Sequence, residues 1–274
     1  MSDGSPAPGW QAPPTIDTTV SHVARIWNYW LGGKDNYEID RQVGDQITAI
    51  LPDVPRLARA SRALLARTVR YLVEEAGVRQ FLDIGTGLPT ADNTHELAQR
   101  IAPESRIVYV DNDPLVLAHA RALLTSSPEG ATEYIHADLR DSEAILRGAA
   151  DTLDLTRPVA LLLMGIMEFI TDDDEAYGIV RRLMEGLPSG SHLVMYDGTN
   201  VIHGARSDKI VEVWNASGNA PLVLRSPEQI AAFFDGLELV DPGVVPCNQW
   251  RPDPAPGGGP EEDVDAFCGV GRKP

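Results

Sequence analysis

Apolar positions along the chain change their period once, near residue 77, and the change separates two kinds of structure. From Val20 the set Val20, Val23, Trp27, Trp30 and Leu31 recurs at helical spacing and stops at Gly32-Gly33, a C-cap signal. Asp35 or Asn36 opens a second helix carrying Ile39, Val43, Ile47 and Ile50. Asp53, with Pro55 in the first turn, opens a third that ends at Gly77. Beyond Gly77, short β-rich runs alternate with helical stretches, the pattern of βαβ units around a parallel sheet. Strands are predicted at 79–84, 106–111, 132–137, 158–164, 191–196, 237–245 and 265–271. Helices are predicted at 93–102, 114–125, 141–149, 174–186, 207–216 and 227–235. No helix separates the last two strands, only a loop rich in Pro and Gly at 252–260, so the final strand is expected to run antiparallel. The predicted fold is α/β: a doubly wound, mostly parallel seven-stranded sheet with an N-terminal helical extension. Residues 1–18, proline-rich and without period, read as a flexible arm, 19–77 as a helical cover and 78–274 as the sheet domain.

Composition narrows the function. With 43% hydrophobic and 23% charged residues among 274, the chain can bury a core without disulfides or metals. Forty acidic residues against 23 Lys plus Arg leave a net charge of −17, a field that repels nucleic acid and anionic membrane surfaces. Cys247 and Cys268 form no CxxC pair, so neither a zinc site nor a disulfide framework is expected, and no metal is assigned. Asp172-Asp173-Asp174-Glu175 reads as a solvated helix N-terminus, where negative charge is favourable. The N-terminus has no leader pattern and no apolar run reaches spanning length, which places the expected location in the cytoplasm.

Three strand ends carry the chemistry. Phe81-Leu82-Asp83-Ile84 runs straight into Gly85-Thr86-Gly87, where missing side chains let the backbone turn sharply and approach a ligand; a plain strand-to-helix turn has the same look. The next strand ends in Asp111, 24 residues after Gly87, and a carboxylate there matches the vicinal diol of a ribose. The third ends in Ala137-Asp138-Leu139, where Asp138 can accept from an adenine amino group. Asp113, just before Pro114, reads instead as a helix cap. A dinucleotide needs an open helix N-terminus for its pyrophosphate. Thr90 occupies the slot of the third fingerprint glycine, and Asp83 brings negative charge to the phosphate path. S-adenosylmethionine (SAM) has no phosphate and carries a sulfonium and an ammonium, which an acidic rim favours.

Asp83-Ile84-Gly85-Thr86-Gly87, Asp111 and Ala137-Asp138-Leu139 resemble the three cofactor motifs of class I SAM-dependent methyltransferases. More closely, Ala24 to Asn36 (ARIWNYWLGGKDN), Phe81 to Thr94 and Tyr109 to Pro114 resemble an actinobacterial methyltransferase family of undefined substrate. The resemblance implies that Gly85, Thr86 and Gly87 hold the amino-acid moiety of SAM, Asp111 the ribose, and Asp138 with Leu139 the adenine, flanked by Asn112. Asp83, and Met164 and Gly165 after the fourth strand, complete the expected cofactor set. Tyr29 to Lys34, with Gly33 in a di-glycine hinge, is either a lid over the cofactor or a helix C-cap with core aromatics.

The chain departs from the family pattern at two strand ends. Met167-Glu168-Phe169 stands where relatives carry a His, and Tyr196-Asp197 where they carry Ser-His. Methyl transfer needs alignment more than acid–base help. If a base acts, Glu168, Asp197 and His95 are the candidates, and Glu168 between apolar neighbours is expected to have a raised pKa; it also reads as a solvated loop acid. His22, His119 and His136 read as packed or solvated, and His203 lies in a loop that can line a pocket. The fourth strand ends in Leu163-Met164-Gly165-Ile166, without the Asn/Asp-Pro-Pro-aromatic motif of nucleic-acid amino methylases. The expected function is methylation of a small-molecule oxygen or nitrogen. The alternatives are a SAM-binding regulatory protein without turnover and, disfavoured by Thr90, an NAD-dependent oxidoreductase.

Overall fold

A computed structural model describes residues 17–89, 92–123, 125–254 and 262–274. Most of the predicted arm, Thr90 and much of the Pro/Gly loop lie outside the described residues. Three helices come first: α1 (Val23–Trp30), α2 (Glu38–Ile50) and α3 (Val54–Glu74). The alternating part follows as β1 (Gln80–Ile84), α4 (Thr94–Ile101), β2 (Arg106–Asp111), α5 (Pro114–Leu123), β3 (Ala131–His136), α6 (Ser142–Ala149) and β4 (Ala160–Met164). It continues with α7 (Asp173–Glu185), β5 (His192–Gly198), α8 (Ala205–Ala216), α9 (Pro227–Ala232), β6 (Glu238–Leu239), β7 (Val245–Pro246) and β8 (Ala266–Arg272).

The sheet order is β3-β2-β1-β4-β5-β8-β6, and β8 runs antiparallel between β5 and β6. Alternation along the strands assigns the two faces. Leu82, Ile84, Val108, Val110, Leu161, Leu163, Leu193 and Met195 join one buried cluster with residues of α6 and α7. Phe81, Ile107, Tyr109, Leu162, Val194 and Tyr196 join the other with α3 and α4. Asp83, between Leu82 and Ile84, therefore points toward α3 and α4.

One strand departs from expectation. The run predicted at 237–245 is divided into β6 and β7, which pair with opposite ends of β8. Gly243, at φ +86°, donates its N–H to the Val240 carbonyl, and this turn leaves no ladder across 241–244. The sheet thus has seven positions but eight segments. The long α3 also serves two layers: Val54 and Ala58 lie in the cover's core, while Leu64, Val69 and Leu72 lie against the sheet. Arg25 and Asp40, both buried, pair at 3.0 Å and tie α1 to α2.

Candidate active site

All five parallel strands end at one edge, and this edge carries the residues singled out from the sequence. The Gly85 amide donates to the Val110 carbonyl at 2.8 Å, fixing the turn after β1 beside β2. Gly85 and Gly87 have φ of +77° and +63°, a region L side chains rarely adopt. A Cβ on Gly85 would lie 2.6 Å from Ile166 Cγ1, so the segment after β4 packs directly on the turn. Gly165, at φ +70°, donates to the Tyr196 carbonyl, and a Cβ there would meet the Tyr196 hydroxyl at 2.6 Å.

Asp111 accepts from the Gly87 amide at 3.0 Å through Oδ2 and from the Asp113 amide at 2.9 Å through Oδ1. Burial raises its pKa, and the two amides oppose the rise. Asp113 caps α5 through the Leu115 amide, and its other oxygen lies 3.3 Å from His22 Nε2 at the start of α1. Asp83 is 6% exposed and accepts from Thr94 Oγ1 at 2.6 Å. Its carboxyl is pushed up to about 6 by burial, opposed by the Thr94 hydroxyl and the Arg62 charge, and raised further by Asp111. Asp138 is exposed after β3 and accepts from the Arg140 amide at 2.8 Å, while Leu139 is buried in the core. Asn112 is exposed, with its carbonyl 2.9 Å from His136 Nε2. Met164, half-buried, ends β4.

Several side chains take other places. Tyr29 donates to Asp45 at 2.7 Å and Trp30 to the Gly44 carbonyl at 3.3 Å, so the end of α1 packs on α2. Gly33 donates to the Asn28 carbonyl, and Lys34 is exposed. The segment forms a helix C-cap with aromatics packed on α2, and Ala24 and His22 approach the glycine turn and its rim. His95 is 2% exposed, and the Tyr109 hydroxyl lies 2.8 Å from its amide and 2.9 Å from Nδ1. His95 lies in the first turn of α4, with its ring packed edge-on against Tyr109 of β2. Burial lowers its pKa and keeps the ring neutral.

Glu168 and Asp197 come together. Asp197 is fully buried, with Oδ2 3.0 Å from Arg225 Nη1 and Oδ1 without a partner. Arg225, 1% exposed, also donates to the carbonyls of Met167 and Ile170 and reaches Asp173 at 3.0 Å. Glu168 Oε2 accepts from the Gly198 amide at 3.2 Å. Burial first, and the charge of Asp197 second, raise the Glu168 pKa above the ordinary carboxylate range.

Glu168 lines a largely apolar cavity roofed by Trp27, Trp30, Ile47 and Trp214 and floored by Tyr196, Gly198, Thr199 and Asp265. Sequence reasoning missed Arg225 and Asp265. Arg225 has one signal, a lone charge in the apolar run Leu222-Val223-Leu224-Arg225. Asp265 accepts from the Ile202 and His203 amides and from Ser207 Oγ, and lies 2.9 Å from His203 Nδ1, holding the loop after β5.

The strand order, with one antiparallel strand inserted next to the edge, and a glycine turn backed by acids at the neighbouring strand ends define the class I methyltransferase fold. The sequence model of a family described as S-adenosyl methyltransferase matches residues 9–274, and the chain belongs to that family. A DUF574 family protein from Streptomyces avermitilis is 48% identical, with a TM-score of 0.90 over 95% of this chain and 100% of that one. A methyltransferase candidate from Thermobifida fusca is 37% identical, with a TM-score of 0.85 over 94% and 96%. A SAM-dependent methyltransferase from Clostridium acetobutylicum shares the fold at 12% identity, with a TM-score of 0.50 over 84% and 98%. No curated protein matches the chain. The protein is thus a SAM-dependent methyltransferase, not a dinucleotide enzyme. Among the described residues no helix is long and apolar enough to cross a membrane.

Proposed function

We propose that the protein methylates a small molecule held in the cavity between the helical cover and the ends of β4 and β5, with Glu168 as proton acceptor. The observation that carries this is the continuity of the two sites: Ile166 packs on Gly85 at the cofactor turn, and Glu168, two residues on, lines the cavity.

The residues present fit SAM. The Asp111 carboxylate, which accepts from two amides among the described residues, keeps lone pairs for a ribose. Asp138 and Leu139 would flank the adenine, and Asp83 supplies negative charge toward a cationic ligand. When bound, SAM supplies a methyl group on a sulfonium, already activated for transfer. The chain's own part is to align the acceptor, to exclude water with the Trp27, Trp30 and Trp214 roof, and to take a proton on Glu168. Asp197 and Arg225 hold the segment bearing Glu168 in place. Nucleic acid remains an unfavoured acceptor because the net charge of −17 opposes it.

Transfer of labelled methyl from SAM to extracted metabolite pools tests the reading. Label in a small-molecule fraction, lost in Glu168→Gln, is the expected result. SAM binding with no transfer across broad pools would favour a binder without turnover.

A further inference from the structure

The cavity walls combine aromatic surface with acid and offer no cation. Three of the chain's five tryptophans, Trp27, Trp30 and Trp214, face it, and no Lys, Arg or His is among its described lining residues. Its donors are largely withdrawn from an occupant. Ser207 Oγ and Thr199 Oγ1 donate to Asp265 at 2.6 and 3.4 Å, and the Trp30 and Trp214 indoles donate to the carbonyls of Gly44 and Ala220 at 3.3 and 2.9 Å. What Glu168 adds is an acceptor: Oε2 takes the Gly198 amide, and Oε1 has no hydrogen-bond partner among the described residues. Arg225 does not line the cavity; its guanidinium is held behind Glu168 by Asp197, Asp173 and two carbonyls.

We infer that the acceptor is a hydrophobic amine that enters as its ammonium, with Glu168 as the counter-ion and the tryptophan roof over its apolar body. This rests on the methyltransferase reading of the same site and narrows its acceptor from oxygen or nitrogen to nitrogen. The argument is one of complementarity. An ammonium brings donors and positive charge to a wall of acceptors, and indole faces attract cations. A carboxylate substrate would meet Glu168 as a like charge, and a neutral alcohol would leave the acidic wall uncompensated.

The proton balance follows. The bound ammonium gives one proton to the Glu168 carboxylate. The freed nitrogen lone pair then forms the new C–N bond as the C–S pair returns to sulfur. The products are the N-methylammonium, S-adenosylhomocysteine and a protonated Glu168.

Titration calorimetry on protein saturated with S-adenosylhomocysteine tests this with isosteric pairs: tryptamine against tryptophol, phenethylamine against phenethyl alcohol, and indole-3-acetate as the anion. The expected result is at least tenfold tighter binding of one or both amines than of the matching alcohol, no binding of the acid, and loss of the preference in Glu168→Gln. The wild-type contrast stands whether or not that variant folds. If S-adenosylhomocysteine binds but no amine is preferred, because the alcohols bind as well or nothing binds, the amine inference is overturned and the methyltransferase reading survives. If S-adenosylhomocysteine itself fails to bind, the underlying reading fails.

Discussion

The amide of Gly87 donates to Asp111 Oδ2 at 3.0 Å, so the glycine turn after β1 and the acid ending β2 are one unit although 24 residues separate them. Asp111→Ala removes both the ribose acceptor and the partner of this amide. The expected loss is about 1.5–3 kcal/mol for each charge-assisted bond, at least tenfold in S-adenosylhomocysteine affinity by calorimetry. Asp111→Asn keeps an acceptor for Gly87 and should lose less. Unchanged affinity in the alanine variant would show that the ribose lies elsewhere.

Asp83 is predicted to sacrifice apoprotein stability for ligand binding. Its carboxyl titrates near 3.8 when unfolded and at about 6 when folded. Between those values the folded state binds the extra proton, so stability falls as pH rises through the window and stays lowered above it. Two pK units correspond to roughly 3 kcal/mol. Asp83→Asn should therefore raise the melting temperature of the apoprotein at pH 7.5 more than at pH 4.5, while weakening SAM binding. An equal or opposite change at the two pH values contradicts the account.

Arg225 and Asp197 form a fully buried pair, and breaking it from one side strands a charge. Arg225→Met is expected to cost about 3–5 kcal/mol, and Arg225→Met with Asp197→Leu substantially less, as measured by denaturant unfolding. Additive losses in the double variant would show that the pair is not coupled.

If Glu168 takes the proton, turnover should rise with pH through a limb above the ordinary carboxylate range, because only the ionised form is a base and its pKa is raised. Glu168→Gln should lower the rate and flatten that limb. A limb that survives in the variant assigns the titration to another group.

His95 is expected to matter for stability and little for the cofactor. Its folded pKa lies below the unfolded value, so the stability of its neutral, buried state is present above pH ~6.5 and is lost as pH falls below it. His95→Phe should lower stability by about 1 kcal/mol or more through the lost Tyr109 bond, with S-adenosylhomocysteine affinity nearly unchanged. A large loss of affinity would return His95 to the site.

The parts of the site legible in the sequence are those whose chemistry is local. An apolar strand and the glycines or acid that end it are contiguous, which is why the sequence alone brings Gly85, Asp111 and Asp138 to one edge. The Arg225–Asp197 pair spans 28 residues and the Ser207–Asp265 bond 58, and neither has a motif, because burial alone makes those partners matter. Trp27, Trp30 and Tyr29 are ambiguous in sequence for a physical reason: an apolar helical face can serve a core or a cavity. The structure uses Tyr29 against α2 and Trp27 with Trp30 for both. The broken edge strand was missed because Gly243 and Pro242 interrupt pairing inside a run that otherwise alternates like a strand.

A crystal structure of the S-adenosylhomocysteine complex tests the central claim most directly. The account predicts the ribose hydroxyls on Asp111, the homocysteine against Gly85 to Gly87, and the sulfur open to the cavity where Glu168 stands. A ligand whose ribose avoids Asp111, or whose sulfur faces away from that cavity, would contradict it.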